Sequence, residues 1–156
     1  AFIPLEKYDV AILGGGISGA LFALNLKKKP FSKGFNLDKG GGRAKVGEAT
    51  ADISSIFLNR LGIDDILSKQ TKKTGLRFIF NEQPNSNKSA VFEFASPAFK
   101  SISNGYHLNR SIFDADLLQE CKKRGITVLR PAVLNDVDLK THKSVLHITF
   151  NGKSID

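Results

Sequence analysis

A glycine-rich turn between two apolar segments constrains the fold of this chain more than any other feature. Val10–Leu13 is a continuous apolar run, which predicts a parallel strand buried on both faces. Gly14, Gly16 and Gly19 follow this run at the spacing G-x-G-x-x-G. Apolar residues then recur at helical spacing through residue 24. The order of strand, glycine turn and helix predicts a site for the phosphates of a dinucleotide.

The spacing gives each glycine a physical role. Gly14 permits the tight turn, Gly16 lets the backbone approach a pyrophosphate, and Gly19 lets the helix pack closely on the strand. The free N–H groups and the positive dipole end of the helix then face the phosphates. A glycine-rich strand–helix turn in some other α/β fold is the alternative interpretation.

A carboxylate follows at the distance expected of a ribose-binding acid. Asp38 ends a short, partly apolar segment that begins at Phe35, and it lies 19 residues after Gly19. In dinucleotide-binding folds about 20 residues separate the glycine turn from the acid that binds the ribose hydroxyls. A carboxylate there repels a 2′-phosphate, so NADP is the least favoured dinucleotide.

Length and composition narrow the class of protein. The 156 residues suffice for one domain with a hydrophobic core, and the 41% of hydrophobic residues predict a globular chain. No apolar stretch approaches the about 18 residues of a membrane span, and no signal peptide is recognised. The single cysteine, Cys121, excludes an internal disulfide and a cysteine-cluster zinc site, and its apolar neighbours predict a buried structural thiol. We therefore expect a cytoplasmic protein without a metal.

The net charge of +8 is concentrated in short lysine runs, the densest of which are residues 27–29 and 72–73. Such patches can steer anionic ligands or nucleic acid. No recognition helix or aromatic stacking motif accompanies them. We therefore expect no nucleic-acid binding.

The rest of the chain alternates predicted helices and strands. Helices are predicted over residues 51–61 and 64–69, and from Asn109 or Ser111 to Gly125. A polar loop joins the first two predicted strands, which suggests a β-insertion outside the nucleotide-binding layers. A doubly wound fold needs a further strand from the C-terminal side, so we expect the domain to be incomplete there. The predicted strands are residues 76–80, 91–94, 126–129, 133–139 and 145–150.

Several blocks of the sequence resemble the FAD-dependent monooxygenase superfamily, and within it the flavin-dependent halogenases of the tryptophan type. The segment Arg43-Ala44-Lys45-Val46-Gly47-Glu48-Ala49-Thr50 is the most specific of these blocks. In that family the segment is a loop beside the flavin, followed by a helix. The resembling blocks are Asp9–Gly19, Asp38–Lys39, residues 43–50, Lys72–Phe80 and Tyr106–Gly125.

The resemblance implies an α/β fold, a Rossmann-like FAD-binding domain of the glutathione-reductase type, as in aromatic hydroxylases. This domain covers residues 1–156 in part, and residues 75–105 form a β-insertion toward the substrate side. Arg43 is implied to lie by the phosphates, where a planar fork of donors suits them. Arg110 matches the family's arginine that approaches FAD, and Val133 matches the backbone position beside the adenine. The implied cofactor-binding residues are Gly14, Gly16, Ser18, Gly19, Asp38, Lys39, Arg43, Gly47, Glu48, Ala49, Thr50, Arg110 and Val133.

Lys73 is the implied catalytic residue. The segment Lys72–Phe80 resembles the halogenase segment whose lysine points into the tunnel between flavin and substrate. Reduced flavin and oxygen there convert chloride or bromide into hypohalous acid. An ammonium group can orient this acid by a hydrogen bond or carry the halogen as a haloamine. The alternative interpretation is a solvated lysine ahead of a strand.

The resemblance therefore predicts an FAD-dependent halogenase that acts on an electron-rich organic substrate. A flavin reductase is the expected partner, since it would supply reduced FAD. An FAD-dependent hydroxylase or a geranylgeranyl-reductase-like enzyme is the alternative within the same class, because the halogenase-specific Trp motif is absent from these residues. A non-catalytic dinucleotide-binding module is the alternative from another class.

Overall fold

The computed structural model describes residues 7–29, 33–41, 45–81, 89–95 and 105–155, which form a mixed helix and strand fold. The chain divides into two compact units, the first of residues 1–46 and 110–156 and the second of residues 47–109. In chain order the elements are β1 (Val10–Leu13), α1 (Ile17–Lys27), β2 (Gly34–Leu37), β3 (Glu48–Ala49), α2 (Asp52–Arg60), α3 (Asp64–Ser68), β4 (Thr71–Lys72), β5 (Gly75–Asn81), β6 (Ser89–Ala95), β7 (Tyr106–Leu108), α4 (Arg110–Lys123), β8 (Thr127–Leu129), β9 (Ala132–Asp138), β10 (Val145–Phe150) and β11 (Lys153–Ile155).

A parallel three-stranded sheet forms the centre of the first unit. Its strand order is β1-β2-β8, and α1 connects the first two strands. Val10 pairs with Gly34, and Phe35 pairs with Thr127. Because parallel strands end at the same edge of a sheet, the glycine turn after β1 and Asp38 after β2 emerge together. The predicted strand, turn, helix and second strand are confirmed.

One face of β1 departs from the sequence-based expectation. Ile12 is buried and Val10 half-buried, whereas Ala11 is exposed and Leu13 keeps 55% of its surface exposed. Alternate residues of a strand point to opposite faces, so one face of β1 is covered and the other is open. The prediction of burial on both faces is therefore wrong for the part of the unit that the structure describes.

The helices α1 and α4 pack against each other and form the core beside the parallel sheet. Ala20, Ala23 and Leu24 of α1 are buried, as are Phe113 and Leu117 of α4. A second cluster of buried side chains joins the parallel sheet to the antiparallel sheet of β11, β10 and β9. This cluster contains Phe35, Leu37, Leu129, Ala132 and Ile148.

Cys121 belongs to the helix core, as the sequence predicts. The side chain is fully buried, and its Sγ lies 3.6 Å from the carbonyl oxygen of Ala20. Burial raises the pKa of the thiol to about 11, because the charged thiolate loses its hydration there. The thiol therefore stays protonated at neutral pH and is no nucleophile.

We expect Cys121 to react with iodoacetamide at least about a hundredfold more slowly in the folded protein than in concentrated guanidinium chloride, because the side chain is fully buried and its raised pKa leaves little thiolate. The measurement is the alkylation rate by mass spectrometry under both conditions at the same pH. Equal rates would show that the thiol is accessible and that the α1–α4 packing is wrong.

The second unit contains a small antiparallel sheet and a separate hairpin. The sheet has the order β3-β7-β4, and the same unit contains α2 and α3, whose buried residues include Leu58 and Leu67. The short strands β3 and β4 were not predicted, since two residues carry no periodicity. The hairpin of β5 and β6 pairs Leu76 with Phe94 and Phe78 with Phe92, which confirms the predicted strand pair.

Two further predictions concern the chain as a whole. No helix within the described ranges combines the length and apolar character needed to cross a membrane. The assignment of the whole chain to one partial domain with an insertion over residues 75–105 stays a prediction.

Candidate functional site

The glycine turn has the geometry that its spacing predicts. Gly14 adopts a φ of +113°, a conformation that side chains with a Cβ rarely reach. Its N–H donates to the carbonyl oxygen of Leu37 at 2.7 Å, which ties the turn to β2. A Cβ on Gly19 would lie only 1.9 Å from the carbonyl oxygen of Gly14. The tight turn and the close approach of α1 are therefore both confirmed.

The middle glycines of the turn face two different groups. A Cβ on Gly16 would lie 3.6 Å from Nη2 of Arg110, so this glycine faces a guanidinium group. A Cβ on Gly15 would lie 2.7 Å from Cβ of Asp38 and would displace that acid. Gly15 occupies a variable position of the motif, so spacing alone did not single it out.

Asn36 is a polar residue of this turn that sequence reasoning missed. Its side chain is fully buried in β2, and its Nδ2 donates to the carbonyl oxygen of Gly14 at 3.0 Å. This bond holds the turn against the neighbouring strand. Its Oδ1 is buried without a hydrogen-bond partner in the described structure. The signal in the sequence was an amide between the apolar Phe35 and Leu37 of a buried strand.

Asp38 lies at the carboxyl end of β2 and reaches the glycine turn. Its Oδ1 accepts a hydrogen bond from the Gly15 N–H at 3.3 Å, and its Oδ2 accepts one from the Gly40 N–H at 3.3 Å. Nε of Arg130 lies 2.9 Å from the same Oδ2. The structure thus places the predicted acid beside the predicted turn, and it adds a cation that the sequence did not assign to this place.

Backbone hydrogen bonds also join Asp38 to the end of β8 and to the start of β9. The Asp38 N–H donates to the Leu129 carbonyl oxygen at 3.0 Å, and the Ala132 N–H donates to the Asp38 carbonyl oxygen at 2.8 Å. The next residue, Val133, is 51% exposed in β9. The backbone position implied for the adenine therefore belongs to a segment that hydrogen bonds hold against Asp38.

Three further residues of the first unit are implied to bind the cofactor: Ser18, Lys39 and Arg43. Ser18 in the first turn of α1 and Lys39 after Asp38 are both exposed. Arg43 lies outside the described residues.

Arg110 is held by a buried carboxylate. Its Nε donates to Oδ1 of Asp114 at 2.9 Å, and its Nη2 donates to Oδ2 at 3.1 Å. Lys45 forms an ion pair with the same Oδ2. Burial opposes the charge of Asp114, but the hydrogen bonds from Arg110 and Lys45 outweigh it, so the pKa of this carboxyl is held below its ordinary value. Asp114 is thus ionised at neutral pH.

In the second unit, the segment Gly47–Thr50 runs along β7. A Cβ on Gly47 would lie 2.9 Å from the carbonyl oxygen of Leu108, so this glycine is needed for the close approach. Thr50 exchanges hydrogen bonds with Tyr106: the Thr50 N–H donates to the Tyr106 carbonyl oxygen, and the Tyr106 N–H donates to Oγ1 of Thr50, both at 2.8 Å. Glu48 and Ala49 are exposed. The segment has a defined path, and it presents the side chains of Glu48 and Ala49 to solvent while Thr50 faces β7.

The side chain of Lys73 contacts the segment Gly47–Thr50. Its ammonium Nζ donates to the carbonyl oxygen of Thr50 at 3.0 Å, and its backbone N–H donates to the carbonyl oxygen of Gly105 at 2.8 Å. The side chain is half-buried, whereas that of the neighbouring Lys72 is exposed. The structure therefore brings the implied catalytic lysine to the implied flavin loop within one compact unit.

The two units hold different parts of the implied chemistry. The first combines a helix N-terminus, glycines that admit a ligand, a carboxylate and an arginine, and this set can bind phosphates and a ribose. The second presents a directed ammonium group beside a glycine-containing segment. An ammonium group held this way can donate hydrogen bonds to an anion or to a polar reactant.

Comparison with solved structures relates the chain to flavoproteins. It is 27% identical to the flavin-dependent halogenase CmlS, with a TM-score of 0.76, over 97% of this chain and 28% of that one. A flavoprotein/dehydrogenase from Cytophaga hutchinsonii is 24% identical, with a TM-score of 0.74, over 94% of this chain and 36% of that one. Halogenase PltM, solved in complex with phloroglucinol and FAD, is 23% identical, with a TM-score of 0.73, over 96% of this chain and 33% of that one.

The chain thus spans about a third of the length of the solved proteins that it resembles. No family model matches the sequence, and no curated protein matches it. The structural neighbours are flavin-dependent halogenases and a flavoprotein/dehydrogenase, which agrees with the resemblance found in the sequence.

Proposed function

We infer that this protein is an FAD-dependent oxidoreductase, and that within this class it is a flavin-dependent halogenase of an electron-rich organic substrate. The likeness to solved halogenases, one of them in complex with FAD, supports FAD as the cofactor. The α/β unit with its glycine turn is the expected Rossmann-like FAD-binding domain of the glutathione-reductase type.

The first unit has polar and charged groups that match the pyrophosphate and the adenosine of FAD. The pyrophosphate binds at the N-terminus of α1, where Gly16 leaves room for it and Arg110 supplies positive charge. The adenosine ribose donates its hydroxyl hydrogens to Asp38, which Arg130 holds in place. The adenine lies along the backbone near Val133. Gly14, Ser18, Gly19, Lys39 and Arg43 complete the expected contacts of this half of the cofactor.

The hydrogen bond from Lys73 to the Thr50 carbonyl oxygen is the observation that most supports halogenase activity within this class of enzymes. In this proposal Gly47, Glu48, Ala49 and Thr50 lie along the flavin, and Lys73 serves the reaction that occurs beside it. When bound, reduced FAD supplies the electrons for oxygen activation. Lys73 then orients the hypohalous acid by a hydrogen bond, or it first releases a proton to water, and its amine takes the halogen from that acid while water leaves. A partner flavin reductase supplies the reduced FAD.

One specific observation favours a second candidate. The flavoprotein/dehydrogenase from Cytophaga hutchinsonii resembles this chain nearly as well as the halogenase CmlS does. An FAD-dependent oxidoreductase without halogen transfer therefore fits the same first unit. In that case Lys73 holds the Thr50 segment and contacts no halogen.

Flavin uptake tests the proposed class. The purified protein, incubated with FAD and then desalted, should retain the absorbance bands of bound flavin. Adding reduced FAD, oxygen and bromide with an electron-rich phenol should then give a brominated product, detected by mass spectrometry. Failure to retain or titrate FAD would refute the class, whereas flavin binding without any halogenated product would favour the second candidate.

Asp38→Ala should weaken FAD binding about tenfold to a hundredfold. The charge-assisted bonds of a carboxylate to the ribose hydroxyls contribute about 1.5 to 3 kcal/mol, and the change removes them. Isothermal titration of FAD measures the dissociation constant, and FMN, which lacks the adenosine, serves as the comparison ligand.

Asp138→Ala is the matched control, because Asp138 is also an acid paired with a cation, Lys140 at 2.9 Å, and it lies at the end of β9. The control should bind FAD like the unchanged protein. If Asp38→Ala bound FAD with unchanged affinity, Asp38 would have no role at the ribose.

A further inference from the structure

Asp114 and its two cationic partners form a compact group beside the glycine turn, here called the Asp114 cluster (Lys45, Arg110 and Asp114). The carboxylate side chain is 6% exposed, and Arg110 reaches it from one helical turn earlier in α4. Arg110 contacts both carboxylate oxygens, while Lys45 contacts only Oδ2. One buried acid thus gathers two cations that come from different parts of the first unit.

The position of the cluster relates it to the turn. A Cβ on Gly16 would lie 3.6 Å from Nη2 of Arg110 and 3.9 Å from Oδ2 of Asp114. The cluster has a net charge of +1, and it adds to the partial positive charge of about +0.5 at the N-terminus of α1. A diphosphate that approaches Gly16 therefore meets the helix N-terminus and the cluster together.

We propose that Asp114 is a positioning residue for the diphosphate of the bound dinucleotide, and that Lys45 is an additional phosphate-binding cation held by it. The inference rests on the proposed function and assigns residues within it. Lys45 is 45% exposed and Arg110 is 17% exposed, so each has part of its side chain open to solvent. Without Asp114, these two long side chains would lose their shared anchor and their common direction.

Whether Asp114→Asn raises or lowers the affinity for the diphosphate distinguishes a positioning role of Asp114 from an effect of its charge alone. Asp114→Asn removes a negative charge near the diphosphate, so if Asp114 acted only through its charge, the affinity for the diphosphate would rise. If Asp114 positions Arg110 and Lys45, the affinity falls, since the ligand itself must then order two flexible side chains. We expect the second effect to win and the dissociation constant to rise about tenfold.

Isothermal titration with FAD, ADP and adenosine tests the inference. ADP carries the diphosphate and adenosine does not, so Asp114→Asn should weaken FAD and ADP about tenfold and leave adenosine unchanged. Lys45→Met keeps the Arg110–Asp114 pair and should weaken ADP about fivefold, with a smaller dependence of its affinity on salt.

Glu120→Gln is the matched control on the same helix. Glu120 pairs with Arg124 at 2.7 Å, also four residues apart, and this change should leave the affinity for ADP unchanged. An Asp114→Asn protein that binds ADP as tightly as before, or more tightly, overturns the inference. Equal weakening of ADP and adenosine also overturns it, because that result indicates a general packing defect.

The proposed function fails in a different way. If the unchanged protein bound neither FAD nor ADP, the proposed function and the inference would both be refuted. If the unchanged protein bound both ligands and the Asp114 and Lys45 variants behaved like it, only the inference would be refuted.

Discussion

Replacing Lys73 with methionine is expected to lower the rate of halogen transfer at least about a hundredfold, since removal of one directed hydrogen-bond donor costs about that factor in enzymes. Methionine keeps the unbranched stem of the side chain up to the ε position and removes the ammonium group that donates to Thr50. The backbone bond from Lys73 to Gly105 remains, so the second unit should still fold. The measurement is the rate at which brominated product forms at saturating reduced FAD with oxygen and bromide, together with the affinity for FAD, which should not change.

Lys72→Met is the matched control, because Lys72 is the adjacent lysine and its side chain is exposed. It should retain the full rate. Lys73→Arg separates the two roles of the ammonium group: an arginine can still orient a polar reactant, but it does not form a haloamine in the same way because it stays protonated. Bromination at the original rate in Lys73→Met would remove this residue from the mechanism.

Replacing Gly19 with alanine is expected to destabilise the first unit by about 3 kcal/mol and to weaken FAD binding about a hundredfold. The new Cβ would lie 1.9 Å from the Gly14 carbonyl oxygen and 3.3 Å from Nδ2 of Asn36. Alanine is the better helix former by about 1 kcal/mol, so propensity alone predicts the opposite sign. The clash should win, because the obstacle is a backbone carbonyl group that the Asn36 bond holds in place.

Urea unfolding without ligand measures the first effect, and titration with FAD measures the second. Asn25→Ala is the control on the same helix, since Asn25 is exposed and lies near the C-terminal end of α1, at the opposite end from the glycine turn. It should keep the stability and the affinity. A Gly19→Ala protein as stable as the original would contradict the observed approach of α1 to the glycine turn.

The secondary structure of the chain followed closely from local patterns. The helix predicted over residues 51–61 is α2 with Asp52–Arg60, and the strand predicted over residues 145–150 is β10 with the same bounds. Periodicity and stop signals act within a few residues, so a single sequence contains them. The two-residue strands β3 and β4 could not be predicted this way, because they exist only through their pairing with β7.

The sequence predicted those residues of the candidate site whose role depends only on the backbone of one short segment. Gly14 and Gly19 were identified because a positive φ and a close helix approach each demand glycine at a fixed spacing. Asn36 and Arg130 were missed, because each acts on a partner that the chain reaches only after folding. Asn36 in β2 donates to Gly14 at the end of the neighbouring strand β1, and Arg130 reaches Asp38 from the end of a third strand, β8.

The glycine turn after β1 was therefore determined by the sequence alone, and so was Asp38, which lies 19 residues after Gly19. Steric limits on φ and the spacing of apolar residues are local, and they need no knowledge of the remaining chain. Only the tertiary structure decided which charges meet: Arg130 with Asp38, and Lys45 with Asp114, which is 69 residues away. Such pairs arise from the packing of distant elements, and no spacing in the sequence encodes them.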